Sequence, residues 1–228
     1  MSKHIIAIIP ARGGSKRIKS KNTALLAGKP LIAYSIENAR QSSLVGRVIV
    51  STENEEIAAI SKKYGAEVFA RPLALAVDTA TSESALLDVL DQIEARGEPS
   101  PDLVVFLQCT SPLRAKNDID NAINLLREKE ADSLFSATRN FGLIWSKEAA
   151  GVRSLNYDYN IRKREQSMDK QYRENGSIYV FKPEILRVNN NRLGGKIEIY
   201  EMDMWSSFQV DEPKDLLLVE WIINNRKT

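Results

Sequence analysis

Five apolar residues in a row, Ile5 to Ile9, run directly into Pro10-Ala-Arg-Gly-Gly-Ser-Lys16. A short apolar run without alternation reads as a strand buried on both faces. Such a strand needs helices above and below it, which restricts the chain to a layered α/β arrangement. The first 140 residues keep that rhythm. Pro30 opens helical spacing over Leu31 to Arg40. Val48 to Ser51 reads as a strand, and Asn54 can cap a helix that Gly65 ends. A short strand, Glu67 to Phe69, precedes a helix over Ser82 to Arg96. Leu103 to Leu107 is a second wholly apolar strand, followed by a helix over Asn117 to Lys129 and a strand over Ser133 to Ala137. This alternation predicts a mainly parallel sheet with helices on both faces. Ligands of such sheets bind at the C-terminal strand ends, near a topological switch point.

From about Arg139 to Glu174 the rhythm breaks into a polar stretch holding Tyr157, Tyr159 and the Arg162-Lys163-Arg164 cluster. A segment this long without its own pattern is an arm, a lid or a dimer contact. Alternation resumes with Ser177 to Phe181, Ile197 to Met202 and a last helix over Glu212 to Asn224. Residues 1–228 thus read as a single domain with an irregular insert.

Composition narrows the chemistry. One cysteine, Cys109, excludes an internal disulfide and a multi-cysteine zinc site. One histidine, His4, sits at the mouth of the first strand and disfavours a Ser-His-Asp centre. A net charge of +2 gives no reason to expect a nucleic-acid or polybasic membrane partner. No apolar run reaches membrane-spanning length and the N-terminal run is too short for a leader, so a reducing, cytoplasmic setting is expected.

Five segments carry polar groups to strand ends. After the first strand, Gly13-Gly14-Ser15 can turn backbone N–H groups to an anion, with Arg12, Lys16 and Lys21 adding charge. The spacing is not that of a Walker A loop. In Ala70 to Ala80, Arg71 offers a planar fork for a base edge or a phosphate, and the run from Asp78 to Ser82 can cap a helix. Gln108, Thr110 and Ser111 follow an apolar strand; Arg114 is either part of a site or tied to a helix end or carboxylate. Cys109 lacks a histidine to activate it and reads as a packed residue. In Tyr172 to Phe181, Arg173 is placed to grip a carboxylate and Asn175 to hydrogen-bond it, on a turn leading into a strand. Asp211 is either an N-cap or a Mg²⁺ ligand, and Asp215 a surface or cap residue.

In this order, the blocks PARGGSK…KN, RP…LA.DTA, LQ.TSPLR and YR.NG.IY resemble the acylneuraminate cytidylyltransferase family, the CMP-sialic acid synthetases, from Ile5 to about Val219. The resemblance implies a Rossmann-like, three-layer α/β nucleotidyltransferase fold with a projecting dimerisation arm at about 139–174. That arm would help complete the partner's sugar site in a homodimer. It implies transfer of CMP from CTP to the anomeric hydroxyl of a nine-carbon α-keto acid sugar, with release of pyrophosphate. On this likeness Arg12, Gly14, Ser15, Lys16, Lys21 and Asn22 hold the triphosphate, with Arg12, Lys21 and Asp211 as the catalytic set. Arg71, Ala80 and Ser82 read cytosine; Gln108, Arg173, Asn175 and Tyr179 bind the sugar, joined by Arg164 from the basic cluster. Asp211 binds Mg²⁺, for which Mn²⁺ is a substitute. Phosphoryl transfer needs positioning and charge neutralisation more than covalent catalysis, which suits a site of Lys, Arg and one carboxylate.

Two positions depart from the family pattern. Gln209-Val210-Asp211 stands where the family often has Asp-x-Asp, so Gln209 is either a neutral metal ligand or a weakening of the metal site. Cys109 replaces the family's usual proline. Rival readings are a synthetase for legionaminate, pseudaminate, Kdo or an amino-Kdo; a sugar-1-phosphate nucleotidyltransferase, partly echoed in Gly28-Lys29-Pro30; and a non-catalytic nucleotide-binding homologue.

Overall fold

The computed structural model describes residues 4–225; Met1 to Lys3, part of the stretch read above for a leader, and Arg226 to Thr228 lie outside them. The apolar run is strand β1 (Ile5–Pro10), and every residue from Ile5 to Ile9 is buried. The small hairpin β2 (Leu25–Leu26) and β3 (Lys29–Pro30) leads into α1 (Leu31–Gln41). Next come β4 (Arg47–Thr52), α2 (Glu55–Lys63), β5 (Glu67–Ala70), α3 (Ser82–Ala95) and β6 (Leu103–Leu107). The chain continues through α4 (Asp118–Glu128), β7 (Ser133–Asn140) and the hairpin β8 (Trp145–Glu148) and β9 (Gly151–Ser154). It ends with β10 (Gln171–Phe181), α5 (Pro183–Asn189), β11 (Ile197–Glu201) and α6 (Pro213–Asn225).

Seven strands form one sheet in the order β11-β7-β10-β6-β1-β4-β5. The pairs β1–β4, β1–β6, β4–β5 and β7–β11 are parallel, and β10 runs antiparallel to both neighbours. The chain lays down β4 and β5 on one side of β1, then returns to place β6 on the other, so the switch point lies at β1/β6. Ile32 and Ile36 of α1, Ile57 of α2 and Ile123 of α4 cover one face; Leu86, Val89 and Ile93 of α3 with Leu186 of α5 cover the other. That completes the three layers. Helix α6 instead packs Val219 and Ile222 against Leu26, Leu31 and Ile18, closing the region behind the first loop. The local signals act as expected at α2: the Asn54 side chain accepts from Ile57 N–H at 2.9 Å, and Gly65 takes φ +86°.

The irregular insert is shorter than the sequence pattern implies. β7 runs on to Asn140 and β10 begins at Gln171, and these two residues pair directly. Only residues 141–170 lie between the two long strands, and they carry the β8–β9 hairpin. The extension was hidden because Gln171 to Glu174 is polar on both faces and leaves no alternation. The Asn-Gly pair is likewise not a turn before the strand. It is a bulge inside β10, where the register with β7 shifts between Glu174 and Tyr179 and Gly176 takes φ +64°.

Candidate active site

A cavity of about 490 Å³ opens at the C-terminal end of β1. Its floor and walls come from the loop after β1, the segment between β5 and α3, the first turn of α3 and the segment before α6. It brings together Arg12, Ser15, Lys16, Lys21, Asn22, Arg71, Ala80, Ser82 and Asp211, positions far apart in sequence. Arg17 adds a further cation, and Leu75 and Val77 an apolar wall, that sequence reasoning passed over. The signal for Val77 lay in the Ala70 to Ala80 block, where Arg71, Asp78 and Ala80 were singled out and Val77 was not.

Arg12, Lys16, Lys21 and Arg71 are each held by a specific contact. The Lys21 Nζ donates to Asp211 Oδ1 at 3.1 Å. Asn22 is buried and its Nδ2 donates to the Arg12 carbonyl at 2.9 Å, which folds the loop back on itself. Arg71 is buried at the end of β5, donating to Ser51 Oγ at 3.1 Å and the Ser51 carbonyl at 2.6 Å. Burial pushes its pKa down from the ordinary guanidinium value, with Glu53 and Asp88 opposing. Asp78 binds both Lys16 and, at 2.9 Å, Arg12. Lys16 first, then Arg12, hold its carboxyl below the usual range. The carboxylate of Asp78 thus stands where two cations converge, a place suited to a phosphate.

Helix α3 points its N-terminus at the cavity. Thr81 accepts from Ser84 N–H at 3.2 Å as N-cap, and Ala80, Thr81 and Ser82 line the wall. The positive end of the helix dipole adds to the anion-binding character. At α6 the cap is made in reverse: Asp215 Oδ2 accepts from the N–H groups of Asp211, 2.9 Å, and Glu212, 2.7 Å. Asp215 therefore does the capping, and the Asp211 carboxylate is left to face Lys21.

Several expected contacts take another form. The Gly13 N–H donates to Glu53 Oε1 at 2.6 Å and the Ser15 N–H to the Gly13 carbonyl at 3.0 Å, so these two donors serve the loop. Gly14 is exposed and does not line the cavity. A Cβ on Gly13 would stand 2.7 Å from Asn54 Nδ2, so that glycine answers to packing on the α2 cap.

None of the expected sugar-binding residues lines this cavity. Asn175 is buried: its Oδ1 accepts from Ser136 Oγ at 2.6 Å and Ser177 N–H at 3.1 Å, and its Nδ2 reaches Met202 Sδ. It holds the bulge and offers no face to a ligand. Tyr179 is 2% exposed, stacks on Phe106 with centroids 5.3 Å apart, and donates its hydroxyl to Glu174. It too is a core residue, because the bulge turns its side chain under α3. The Gln209 Nε2 donates to the Asn175 carbonyl, so that amide nitrogen is spent on the bulge. The Gln108 and Gln209 amides both press on Gly176, where a Cβ would meet them at 2.9 and 2.5 Å. Gln108 is half-buried there, while Arg173 is exposed on β10 opposite Thr138. Arg164 is exposed, on the segment between β9 and β10.

Two residues near the site are structural. Burial pushes the Cys109 thiol up to about 12, which rules it out as a nucleophile at neutral pH. Arg114 is buried and donates to backbone carbonyls rather than to a carboxylate.

Comparison with known proteins places this geometry. The sequence profile described as cytidylyltransferase matches residues 6–222. The post-translational flagellin modification protein B of Campylobacter coli is 36% identical over 228 residues, covering 97% of this chain and 96% of that protein. The CMP-N,N'-diacetyllegionaminic acid synthase of Campylobacter jejuni is 34% identical over 226 residues, covering 96% and 95%. The N-acylneuraminate cytidylyltransferase A of Danio rerio is 34% identical over 223 residues, covering 96% of this chain but 50% of that protein, so the chain spans half its length. A solved CMP:2-keto-3-deoxy-manno-octonic acid synthetase complexed with CTP superposes with a TM-score of 0.73 at 18% identity, covering 97% and 98%. That last likeness bears on the fold alone.

Proposed function

Because the chain belongs to the cytidylyltransferase family, we propose that it transfers CMP from CTP to the anomeric hydroxyl of a nine-carbon α-keto acid sugar and releases pyrophosphate. The observation that carries this reading is the cavity itself, where five cationic side chains and one carboxylate converge at the switch-point end of the sheet. Arg12, Lys16 and Lys21 grip the triphosphate, with Ser15 and the Asn22-braced loop fixing its path. Ser82, Ala80 and Arg71 face the cytosine, and Leu75 and Val77 give its ring an apolar wall. Gln108 and Arg173 face the sugar acid. The hydroxyl attacks the α-phosphate in line, and the fixed cations neutralise charge that builds on the phosphates.

The donor set fits a Mg²⁺ ion brought with the nucleotide. Mg²⁺ takes one or two carboxylates and completes its shell with water and phosphate oxygens. Asp211 supplies one hard oxygen donor on the cavity wall, while no group of three His, Cys, Asp or Glu residues converges among the described residues. Gln209 fits less well, its amide nitrogen being bonded to the bulge. When bound, the ion would neutralise phosphate charge; Mn²⁺ would serve the same end.

The working unit is a homodimer on this reading. Ile144, Trp145, Val152, Tyr159 and Ile161 of the segment between β7 and β10 are exposed apolar residues, more than a short hairpin gains by showing to water. A second copy covering them would also give the exposed Arg164 a place in the partner's sugar site. Light scattering of the wild type is expected to give a dimer, and Trp145→Glu with Ile161→Glu a monomer of lowered turnover. A wild-type monomer at working concentration removes the shared-site picture. No helix among the described residues is long and apolar enough to cross a membrane, and the single, buried cysteine suits the cytoplasm.

The test is pyrophosphate release with CTP and Mg²⁺ against N-acetylneuraminate, N,N'-diacetyllegionaminate, pseudaminate and Kdo, with UTP and ATP as controls. Release with CTP and one nine-carbon acid is expected. Release with UTP or ATP alone, or with none of the acids, rejects the reading. Likeness to a legionaminic acid synthase over 96% of this chain and 95% of that protein favours the legionaminate arm.

A further inference from the structure

We propose that Arg192 is a positioning residue for the sugar acid, bracing the bulge of β10 against the first turn of α3; this rests on the reaction proposed above. Arg192 lies in the loop between α5 and β11, outside every motif that the sequence offered. Its guanidinium covers the Tyr179 ring, 4.2 Å from the centroid, and lies 5.5 Å from that of Phe106. One nitrogen donates to Glu83, the residue after the cavity-lining Ser82. The other lies 3.4 Å from the Tyr179 hydroxyl and 3.8 Å from Glu174 Oε1, the same oxygen that accepts from Tyr179. The Nε is buried without a partner, a cost that the guanidinium bears to reach both carboxylates. Arg192 and Glu83 are largely sheltered, so the pairing is not a solvated surface bridge.

The two ends of this brace differ in stiffness. Glu83 sits on a 14-residue helix capped by Thr81, and that end is fixed. Glu174 sits where the β7–β10 ladder slips, and between it and Tyr179 the ladder's register with β7 is lost. Glu174 is the last residue paired with β7 before the bulge, and the Glu174–Tyr179–Arg192 contact adds to the Asn175 bonds a side-chain tie that reaches out of the sheet to α3. Arg173 is the neighbouring residue, so the position of Glu174 sets the backbone from which Arg173 reaches for a carboxylate. Loss of the brace is felt at the soft end, in the sugar acid's affinity, and little at the nucleotide.

The experiment compares wild type, Arg192→Gln, Arg192→Lys, Glu174→Gln and the Arg192→Gln/Glu174→Gln pair. CTP binding is measured by calorimetry without acid, and kcat and KM by pyrophosphate release with the acid that wild type uses. Arg192→Gln is expected to raise the acid's KM on the order of tenfold and leave the CTP Kd within about twofold. Arg192→Lys should recover part of the loss, since it keeps the charge and loses the fork. The double variant should lose little more than either single one. An unchanged KM, additive losses, or CTP affinity falling in step with KM overturns the proposal, the last showing mere damage to the fold. If wild type itself turns over none of the acids, the reading of the reaction fails and takes this inference with it; if wild type is active and Arg192→Gln matches it, this inference alone fails.

Discussion

Asp211→Ala is expected to bring turnover close to zero at every Mg²⁺ concentration while CTP still binds. Asp211 is the one carboxylate on the cavity wall, and its oxygen lies 3.1 Å from Lys21 Nζ. The pair occupies the junction of the loop after β1 and the segment before α6, so a metal-bound triphosphate would meet both groups at once. Removing the carboxylate takes away the hard donor and leaves Lys21 without this counter-charge. The fold should survive, because Asp215 makes the helix cap and Val210 N–H is bonded to the Thr110 carbonyl at 2.8 Å. Lys21→Met tests the other half. It removes a fixed charge aimed at developing phosphate charge, and kcat should fall on the order of 10²- to 10³-fold. Pyrophosphate release across a Mg²⁺ titration, alongside calorimetric CTP binding, reads both. Asp211→Ala turning over at a tenth of the wild-type rate or better would take Asp211 out of the mechanism.

Arg114→Met should cost about 3 kcal/mol of stability, because it removes a buried fork that donates in three directions and leaves acceptors short of a partner. The guanidinium donates to the Ser177 carbonyl at 2.7 Å, to the Gln108 carbonyl at 2.9 Å and to Ser35 Oγ at 3.0 Å. It thereby ties β10 just past the bulge, the end of β6, and α1 into one unit. Burial pushes its pKa down to about 10, so it stays charged at neutral pH and its partners feel a full cation. Methionine fills similar space and satisfies none of the three acceptors. For a chain of this length the loss corresponds to a Tm lower by about 10 °C. A Tm within 2 °C of wild type would show that the network is not holding the three elements. Gln108 faces the sugar acid on the proposed reading, so the variant's residual activity should fall through the acid's KM first.

Much of the site was legible before the tertiary structure. Arg12, Ser15, Lys16, Lys21, Asn22, Arg71, Ala80, Ser82 and Asp211 all follow strand ends or precede helices, and the α/β rule sends such positions to one edge of the sheet. The sugar side was not legible to the same degree. Asn175 and Tyr179 have the chemistry of ligand-binding residues, yet one ties down a bulge and the other fills the core. Between Glu174 and Tyr179, β10 takes five steps against two on β7; such an odd slip exchanges the strand's faces, and nothing in Tyr172 to Phe181 announces it except a glycine that also suits a turn.

Those cases mark where each level of information acts. Residue type and local spacing determined the elements, their order and their caps. Apolar runs must be buried on both faces, and Asn54 and Gly65 end a helix by contacts within a few residues. Pairing partners, face and depth were decided only in three dimensions. That β10 enters antiparallel between β6 and β7, that Asp215 caps α6 and leaves Asp211 to Lys21, and that Arg192 reaches Glu83 across 109 positions depend on segments whose meeting has no local signature. Long-range contacts are selected by the whole core's packing, and a side chain's role changes with the neighbour that packing brings to it.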